Sequence, residues 1–471
     1  MQFDLIIIGS GPSGQRAALQ AAKVGKKAAI VESYSAMGGG CVHFGTLPSK
    51  SFRESIYRYS LGSRGAMASE SDSDSSTKKK RKSDAPDMER LLRRRARVVS
   101  SESQVIFDQL KRNNVTLFHG RARLVSPTEV EIKSSKKTIQ ITSPKIVLAV
   151  GARPISPTHL PIDGKTVLDS DSILSLKKIP KTMTVLGAGI IGCEYASMFA
   201  MAGTKVFLVD RRHEILASVD REIVSALVSR FQDQGMEIIL QAEAQKIEKL
   251  PVKRGLQIHL TNGKKIKTDV VLIAQGRTGN IEGLGLEEVG VQVTERGLIK
   301  VESHFQTSIP SIYAVGDVIG APALASTAFE QGRIATRHAL ELGDSEMNPL
   351  FPYGIYTIPE ISTIGLTEEE LIAKKIGYVV GRARYKELAR GQIVGDRWGL
   401  LKLLVDRKTL KLLGVHIIGD NAADLIHIGQ AVMHFGGTVP YFIQSVFNYP
   451  TLAEAYKTAA FHAMNQVKVS S

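Results

Sequence analysis

"FDLIIIGSGPSGQRAALQAAKVGKKAAIVE", residues 3–32, reads as one folding unit. The apolar run Phe3–Ile8 predicts a short buried strand, and Gly9-Ser10-Gly11-Pro12-Ser13-Gly14 a glycine-rich turn. Residues Gln15–Val24 have helical character, and Lys27–Val31 predicts a second strand ending at Glu32. Strand, GxGxxG, helix, strand and acid in this order describe a βαβ module. The first glycine closes a tight turn, the second lets backbone approach a pyrophosphate, and the third lets helix and strand pack closely. The layout returns at Met183–Leu186, Gly187-Ala188-Gly189-Ile190-Ile191-Gly192, a helical Cys193–Ala202, a strand Lys205–Val209 and Asp210. In both copies the first glycine stands the same distance before the acid, 9 to 32 and 187 to 210. A lone GxGxxG means little. Two in matching context predict two dinucleotides held by one chain, with Glu32 and Asp210 accepting from ribose hydroxyls.

The second acid carries a further signal. Asp210 is followed by Arg211 and Arg212. A carboxylate there suits the 2′-hydroxyl of NAD, whereas a neighbouring guanidinium suits the 2′-phosphate of NADP. A solvated charged turn is the plainer reading of the same residues. Both nicotinamide forms stay admissible.

The length of 471 residues calls for several domains, and 43% apolar with 23% charged residues places the chain among globular proteins. No apolar run reaches the roughly 20 residues that span a bilayer, so a cytoplasmic protein with no membrane partner is expected. Two cysteines, Cys41 and Cys193, cannot build a disulfide framework, which agrees with a reducing compartment. The net charge of +15 suggests a polyanion partner until it is located. Residues 78–97 hold ten Lys and Arg against three acidic residues, so about half the excess is local. The stretch "AMASESDSDSSTKKKRKSDA", 66–85, has almost no apolar content and no interleaved aromatics. It reads as a disordered basic and Ser-rich insertion rather than a nucleic-acid patch. From Pro86 a helix is predicted, with Met88, Leu91, Leu92, Val98, Val99, Val105, Ile106 and Leu110 on one face.

Four stretches carry a resemblance over nearly the whole chain: "ESYSAMGGGCVHFGTLPSK" (32–50), "YAVGDVIGAPALAS" (313–326), "IPEISTIGLTEEEL" (358–371) and "NYPTLAEAYKTAA" (448–460). They are similar to the class I FAD-dependent pyridine nucleotide-disulfide oxidoreductases, the flavoprotein family of dihydrolipoamide dehydrogenase and glutathione reductase. Within it they most resemble the soluble pyridine nucleotide transhydrogenase branch. The resemblance implies an α/β fold with two Rossmann-like domains, for FAD and NAD(P), and an α+β C-terminal dimerisation domain. It implies an FAD domain over 1–150 and 277–347, an NAD(P) domain over 151–276 and a dimerisation domain over 348–471. It adds Ser33, Tyr34, Ser35, Ala36, Met37, Gly38, Gly39, Gly40, Cys41, Thr46, Gly151, Gly276, Gly316 and Ala325 to the cofactor-binding set. Asp317 is implied to bond the flavin's ribityl chain, and Lys50, paired with Glu194, to lie beside the isoalloxazine ring. Tyr449 and Glu454 are implied to act on the other subunit's site in a homodimer or larger homo-oligomer. No metal site is expected.

The chain departs from the disulfide reductases of that family in two places. Thr46 stands where they carry the flavin-proximal cysteine, and Tyr449-Pro450 where they carry His-Pro, although Glu454 is kept. A disulfide relay needs two sulfurs within bonding distance, and a phenol with a reference pKa near 10 is a poor proton shuttle at neutral pH. Hydride transfer between a nicotinamide and flavin needs stacking geometry and a dry pocket but no protein acid or base. The expected activity is therefore FAD-dependent transhydrogenation between NADPH/NADP+ and NADH/NAD+, in ping-pong fashion and with no protein nucleophile, and the resemblance implies that it is Si-specific. A dihydrolipoamide dehydrogenase-like enzyme, or a single-cysteine disulfide or peroxide reductase using Cys41, is the alternative. Cys41 is read as structural and Cys193 as packing, and His43 receives no chemical role.

Overall fold

The computed structural model describes residues 1–69, 87–251, 255–343 and 345–469. Strand Leu5–Ile8 is buried on both faces, as its unbroken apolar sequence requires of a central parallel strand. It pairs with Ala28–Glu32 on one side and Ile146–Leu148 on the other. The sheet is completed by Thr116–His119 and, at the far edge, Ile312–Ala314. Helices Pro12–Lys23 and Ala325–Ala339 pack against each other beside this sheet.

The second copy repeats the arrangement. Strand Thr182–Leu186 lies between Lys205–Val209 and Val270–Ile273, with Glu237–Ile239 and Val167–Asp169 at the edges, all parallel. Each module carries an antiparallel three-stranded ribbon, Arg121–Thr142 in the first and Ala244–Thr268 in the second. The chain leaves the first module along Ala152–Pro154 and returns along Arg277–Gly279, and these two segments pair antiparallel. The last region is a five-stranded antiparallel sheet, ordered Tyr353–Ile355, Ile361–Gly365, Leu412–Ile418, Leu400–Asp406, Tyr378–Arg384. Helices Ala422–His434 and Glu454–Val469 pack on it.

Three sequence expectations are amended. Both glycine turns open directly into helices, which start at Pro12 and Ile190 rather than at Gln15 and Cys193. Helix Thr46–Ser69 carries through the first four residues of the expected 66–85 insertion, and the rest of that insertion lies outside the described residues. Helix Met88–Arg112 forms as expected, but its buried stripe is Met88, Leu91, Ile106 and Leu110, with Val98 37% and Val105 52% exposed. Adjacent residues point about 100° apart on a helix, so the pairs 98/99 and 105/106 cannot both face inward.

Helices Thr46–Ser69 and Ile190–Met201 belong to different modules and meet through Phe52 and Phe199. Both rings are fully buried, with centroids 5.7 Å apart. Burying such a side chain contributes about 1.5–3 kcal/mol.

Candidate active site between two glycine turns

A cavity of about 1920 Å³ runs between the two modules, and both glycine turns line it. Gly9 has φ +106°, and a Cβ there would lie 2.3 Å from the Ala149 carbonyl oxygen. A Cβ on Gly14 would meet the Gly9 carbonyl at 2.0 Å, whereas one on Gly11 would meet nothing within 4 Å. The three glycines thus divide as their spacing predicts: turn, open approach, close packing. Gly187, Gly189 and Gly192 behave alike, with 2.4 Å to the Ala274 oxygen, 3.9 Å to Arg212 and 1.8 Å to the Gly187 oxygen. Gly11 and Gly189 cap their helices without any side-chain partner, which leaves amide donors and the positive helix end directed at the cavity.

The two acids sit in comparable frames. Glu32 Oε2 accepts from the Ser10 amide at 2.9 Å and the Ser10 hydroxyl at 2.6 Å, and its Oε1 accepts from the Tyr34 amide at 2.9 Å. Asp210 accepts from the Ala188 amide at 2.6 Å and from Arg212 through its amide, Nε and Nη2 at 2.8, 2.9 and 2.8 Å. Burial pushes the Asp210 carboxyl upward, but those Arg212 and backbone donors outweigh it and hold the pKa below the usual carboxylate range. Arg211 is different: its side chain is 77% exposed, and its nearest carboxylate, Glu243, is 3.9 Å away.

Lys50 Nζ donates to Glu194 Oε2 at 2.7 Å, with the carboxylate almost fully buried and the ammonium about one-quarter exposed to the cavity. Glu194 Oε1 accepts from the Tyr356 amide at 2.8 Å, and Lys50 Nζ lies 4.9 Å from the Tyr356 ring centroid. Asp317 also lines the cavity, and burial raises its carboxyl pKa against the opposing pull of Arg277. Cys41 is a free thiol beside Thr46. Burial is the largest influence on it and raises its pKa, although a hydrogen bond with Thr46 works the other way, so sulfur here is a thiol at neutral pH.

Most expected site residues line this one cavity: Gly9, Ser10, Gly11, Pro12, Ser13, Glu32, Ser33, Tyr34, Gly39, Gly40, Cys41, Thr46, Lys50, Gly151, Gly187, Gly189, Ile190, Ile191, Glu194, Asp210, Arg211, Gly276, Gly316, Asp317 and Ala325. Gly14 and Gly192 stand behind it as packing glycines. Ser35, Ala36, Met37 and Gly38 are not among its lining residues. Gly38 donates its amide to the Ser10 hydroxyl, and the Met37 carbonyl accepts from Ser103 and contacts His43, so Met37 and Gly38 brace the turn. Tyr449, 74% exposed, and Glu454, which accepts from the Thr451 amide, are also outside the lining. Sequence reasoning missed Tyr356 and Arg277, which line the cavity as well. The first stands two residues before the "IPEISTIG" stretch and the second directly after Gly276, so position beside a motif was the only signal.

The pyridine nucleotide-disulphide oxidoreductase family model matches residues 3–332, and the corresponding dimerisation-domain model matches 351–460. The chain belongs to this family. Among its pyridine nucleotide-disulphide oxidoreductase relatives, the soluble pyridine nucleotide transhydrogenase of Mycobacterium bovis BCG Pasteur is 45% identical, covering 99% of this chain and 98% of the relative. The transhydrogenase of Photorhabdus laumondii is 43% identical, covering 99% of each. Of solved family structures, the Cu(II) complex of the HOCl-induced flavoprotein disulfide reductase RclA from Escherichia coli superposes with a TM-score of 0.87 at 27% identity, covering 98% and 99% of the two chains. LpdA from Mycobacterium tuberculosis gives a TM-score of 0.87 at 25% identity, covering 97% and 99%.

Proposed function

We propose that the protein transfers hydride between NADPH/NADP+ and NADH/NAD+ by a ping-pong route with FAD as its resident cofactor. The observation that carries this reading is one cavity, framed by two dinucleotide turns, converging on a buried-carboxylate lysine and holding, among its described lining residues, one thiol instead of two. Transhydrogenase relatives at 43–45% identity support it over the disulfide reductases that share the fold. The fit to FAD rests on the first turn. A Cβ at Gly39 would lie 2.8 Å from the Gly11 Cα, so the chain keeps two glycines in contact and leaves the space beyond Gly11 open to a pyrophosphate. Gly9, Ser10, Gly11 and Ser13 would hold that pyrophosphate, Glu32 a ribose, and Asp317 the ribityl chain. Bound there, FAD would supply the hydride-accepting and hydride-donating ring.

The protein's own part is binding, orientation and charge. Gly187, Gly189 and Asp210 seat either nicotinamide dinucleotide. Lys50 keeps a fixed positive charge at the junction of the two turns, where negative charge develops during transfer, and Glu194 fixes its position. No side chain needs to give or take a proton. The transfer is assigned as Si-specific on the family resemblance. We further propose the division into 1–150 with 277–347, 151–276 and 348–471, a cytoplasmic homodimer or larger assembly, and action of Tyr449 and Glu454 on the partner's site. The match to a dimerisation-domain model supports the assembly. Among the described residues, no helix is long and apolar enough to cross a membrane.

The direct test is anaerobic. Purified protein should be yellow and reduce a thionicotinamide analogue of NAD+ with NADPH. Turnover that appears only after a dithiol or disulfide is added would defeat the proposal. Cys41→Ser should keep this rate within about threefold, under 1 kcal/mol of barrier, because the half-buried thiol has its pKa raised by burial and has no second thiol beside it. A loss of a hundredfold would move catalysis back to sulfur. At the second turn, Arg212 is already spent on Asp210 while Arg211 is solvated. Arg211→Met should therefore raise KM for NADPH about tenfold, the loss of one charge-assisted contact. KM for NADH should barely move, and equal changes in both would mean that Arg211 is only a surface charge.

A further inference from the structure

Three consecutive residues of the C-terminal region hold the two nucleotide modules together at the site. The chain leaves strand Tyr353–Ile355 and crosses helices Thr46–Ser69 and Ile190–Met201. The Tyr356 amide donates to Glu194 Oε1 at 2.8 Å. The Thr357 carbonyl accepts from Arg53 Nη2 at 3.2 Å and Nε at 3.3 Å. The Ile358 amide donates to Ser197 Oγ at 3.1 Å, and that hydroxyl donates to the Glu194 carbonyl at 2.7 Å. Lys50 and Arg53 are one helical turn apart, as are Glu194 and Ser197, so the strap touches the same face of both helices twice. Thr357 and Ile358 are buried, and Ile358 packs in the core that contains Phe52 and Phe199.

Backbone donors explain how Glu194 is fixed. Among the described residues they leave Lys50 with one polar contact at the end of a stem with four rotatable bonds, and a single carboxylate oxygen sets the distance of an ammonium but not its direction. The Tyr356 ring is the second constraint: its centroid lies 4.9 Å from Nζ, within range of a cation–π contact.

We propose that Tyr356 is a positioning residue, whose ring face together with Glu194 holds the Lys50 ammonium at the junction of the two turns, and that the Tyr356–Ile358 strap thereby ties the C-terminal region to the site. The catalytic meaning rests on the transhydrogenase reading, but the confinement of Lys50 does not. The strap's backbone bonds survive any side-chain replacement, so substitution at 356 isolates the ring.

The test uses full-length flavin-loaded protein carrying Tyr356→Phe, Tyr356→Met or Tyr356→Trp. Two quantities are read: the rate at which acetic anhydride acetylates Lys50, followed by peptide mass spectrometry, and kcat and KM for NADPH with the thionicotinamide acceptor. Phe and Trp keep a ring face and should keep both the acetylation rate and kcat within about threefold of the parent. Met fills similar space with no π face, so Lys50 acetylation should rise about three- to tenfold and kcat fall by a similar factor, with KM for NADPH unchanged. The proposal is overturned if Met matches Phe in Lys50 reactivity, or if Phe falls as far as Met, which would make the hydroxyl the acting group. If Lys50 reactivity separates Met from Phe in a protein with no transhydrogenase turnover, the positioning role stands and the functional reading fails. Should Met not fold, Trp and Phe remain decisive, because loss of Lys50 protection in both also rejects the ring-face assignment.

Discussion

Gly14→Ala should purify without colour, whereas Gly192→Ala should stay yellow and yet resist reduction by NADPH. In each case the new Cβ would lie 2.0 or 1.8 Å from a carbonyl oxygen of the first glycine of its own turn. Both atoms are backbone, so no side chain can swing aside, and the helix must move off its strand. Forced overpacking of this kind costs typically 1–3 kcal/mol, and here it falls on the turn proposed to cradle a pyrophosphate. Gly11→Ala provides the contrast. Its Cβ meets nothing within 4 Å, so the protein should unfold at the parent temperature while losing flavin affinity, since the added methyl fills only the space a ligand needs. The measurements are the visible flavin spectrum, anaerobic titration with NADPH and the thermal midpoint. Retention of flavin and NADPH reduction by both turn variants would show that these glycines do not shape nucleotide sites.

Lys402→Met should destabilise the fold by about 3–5 kcal/mol, the usual result of removing one partner from a buried ion network. Lys402 is 1% exposed in the middle of strand Leu400–Asp406. Its ammonium contacts Asp220 at 2.9 Å, Glu222 at 3.1 Å and Glu368 at 2.5 Å, while Arg382 forks onto Glu222 at 2.7 and 2.9 Å. Asp220 and Glu222 open a helix of the second module, and the cations come from the C-terminal sheet, so the substitution strands acids at a contact between two regions. Urea unfolding checks the size of the effect. Lys249→Met, which removes a solvent-exposed lysine from the half-buried Asp163, should cost under about 1 kcal/mol. Equal midpoints for the two variants would reject the network's role.

The same cluster sets an acid limit. His416 is fully buried, accepts from the Thr363 hydroxyl at Nδ1, and donates from Nε2 to the Leu366 carbonyl at 3.0 Å, so both ring nitrogens are satisfied in the neutral form. Burial, joined by repulsion from Lys402, lowers its pKa against the opposing pull of Asp220 and Glu369. The unfolded chain therefore takes up the proton first, and stability falls as pH drops through the ordinary histidine value near 6.5. Asp220 and Glu222, held below their ordinary values, add loss of the same sign at lower pH.

What was legible in the sequence depended on how local the causes were. Each GxGxxG lies within one βαβ unit, so spacing alone located the turns, the acids and the helices that follow. The Lys50–Glu194 pair joins residues far apart in sequence, and no periodicity connects them. Resemblance supplied it, and in the fold the two helices that carry the pair also pack through Phe52 and Phe199. Tyr356 escaped because its ring reaches Lys50 only once the C-terminal region has docked, and its amide, which holds Glu194, leaves no trace in residue type. The choice between Arg211 and Arg212 was equally closed to sequence, since only the fold shows which guanidinium turns back onto Asp210. Lys402 looks like an outward residue in an otherwise apolar strand. Its partners are contributed by the start of one helix and the capping-box helix Glu368–Ala373, and these meet only after the regions dock.

One nicotinamide berth follows from the second turn. NADPH and NAD+ would both seat against Gly187–Gly192 in the cavity that also opens on the first turn. Incoming and outgoing nucleotides must then queue, and whichever pool is in large surplus occupies the seat its counterpart needs. Such a protein carries its own brake, set by the balance of the two pools, with no regulatory ligand required.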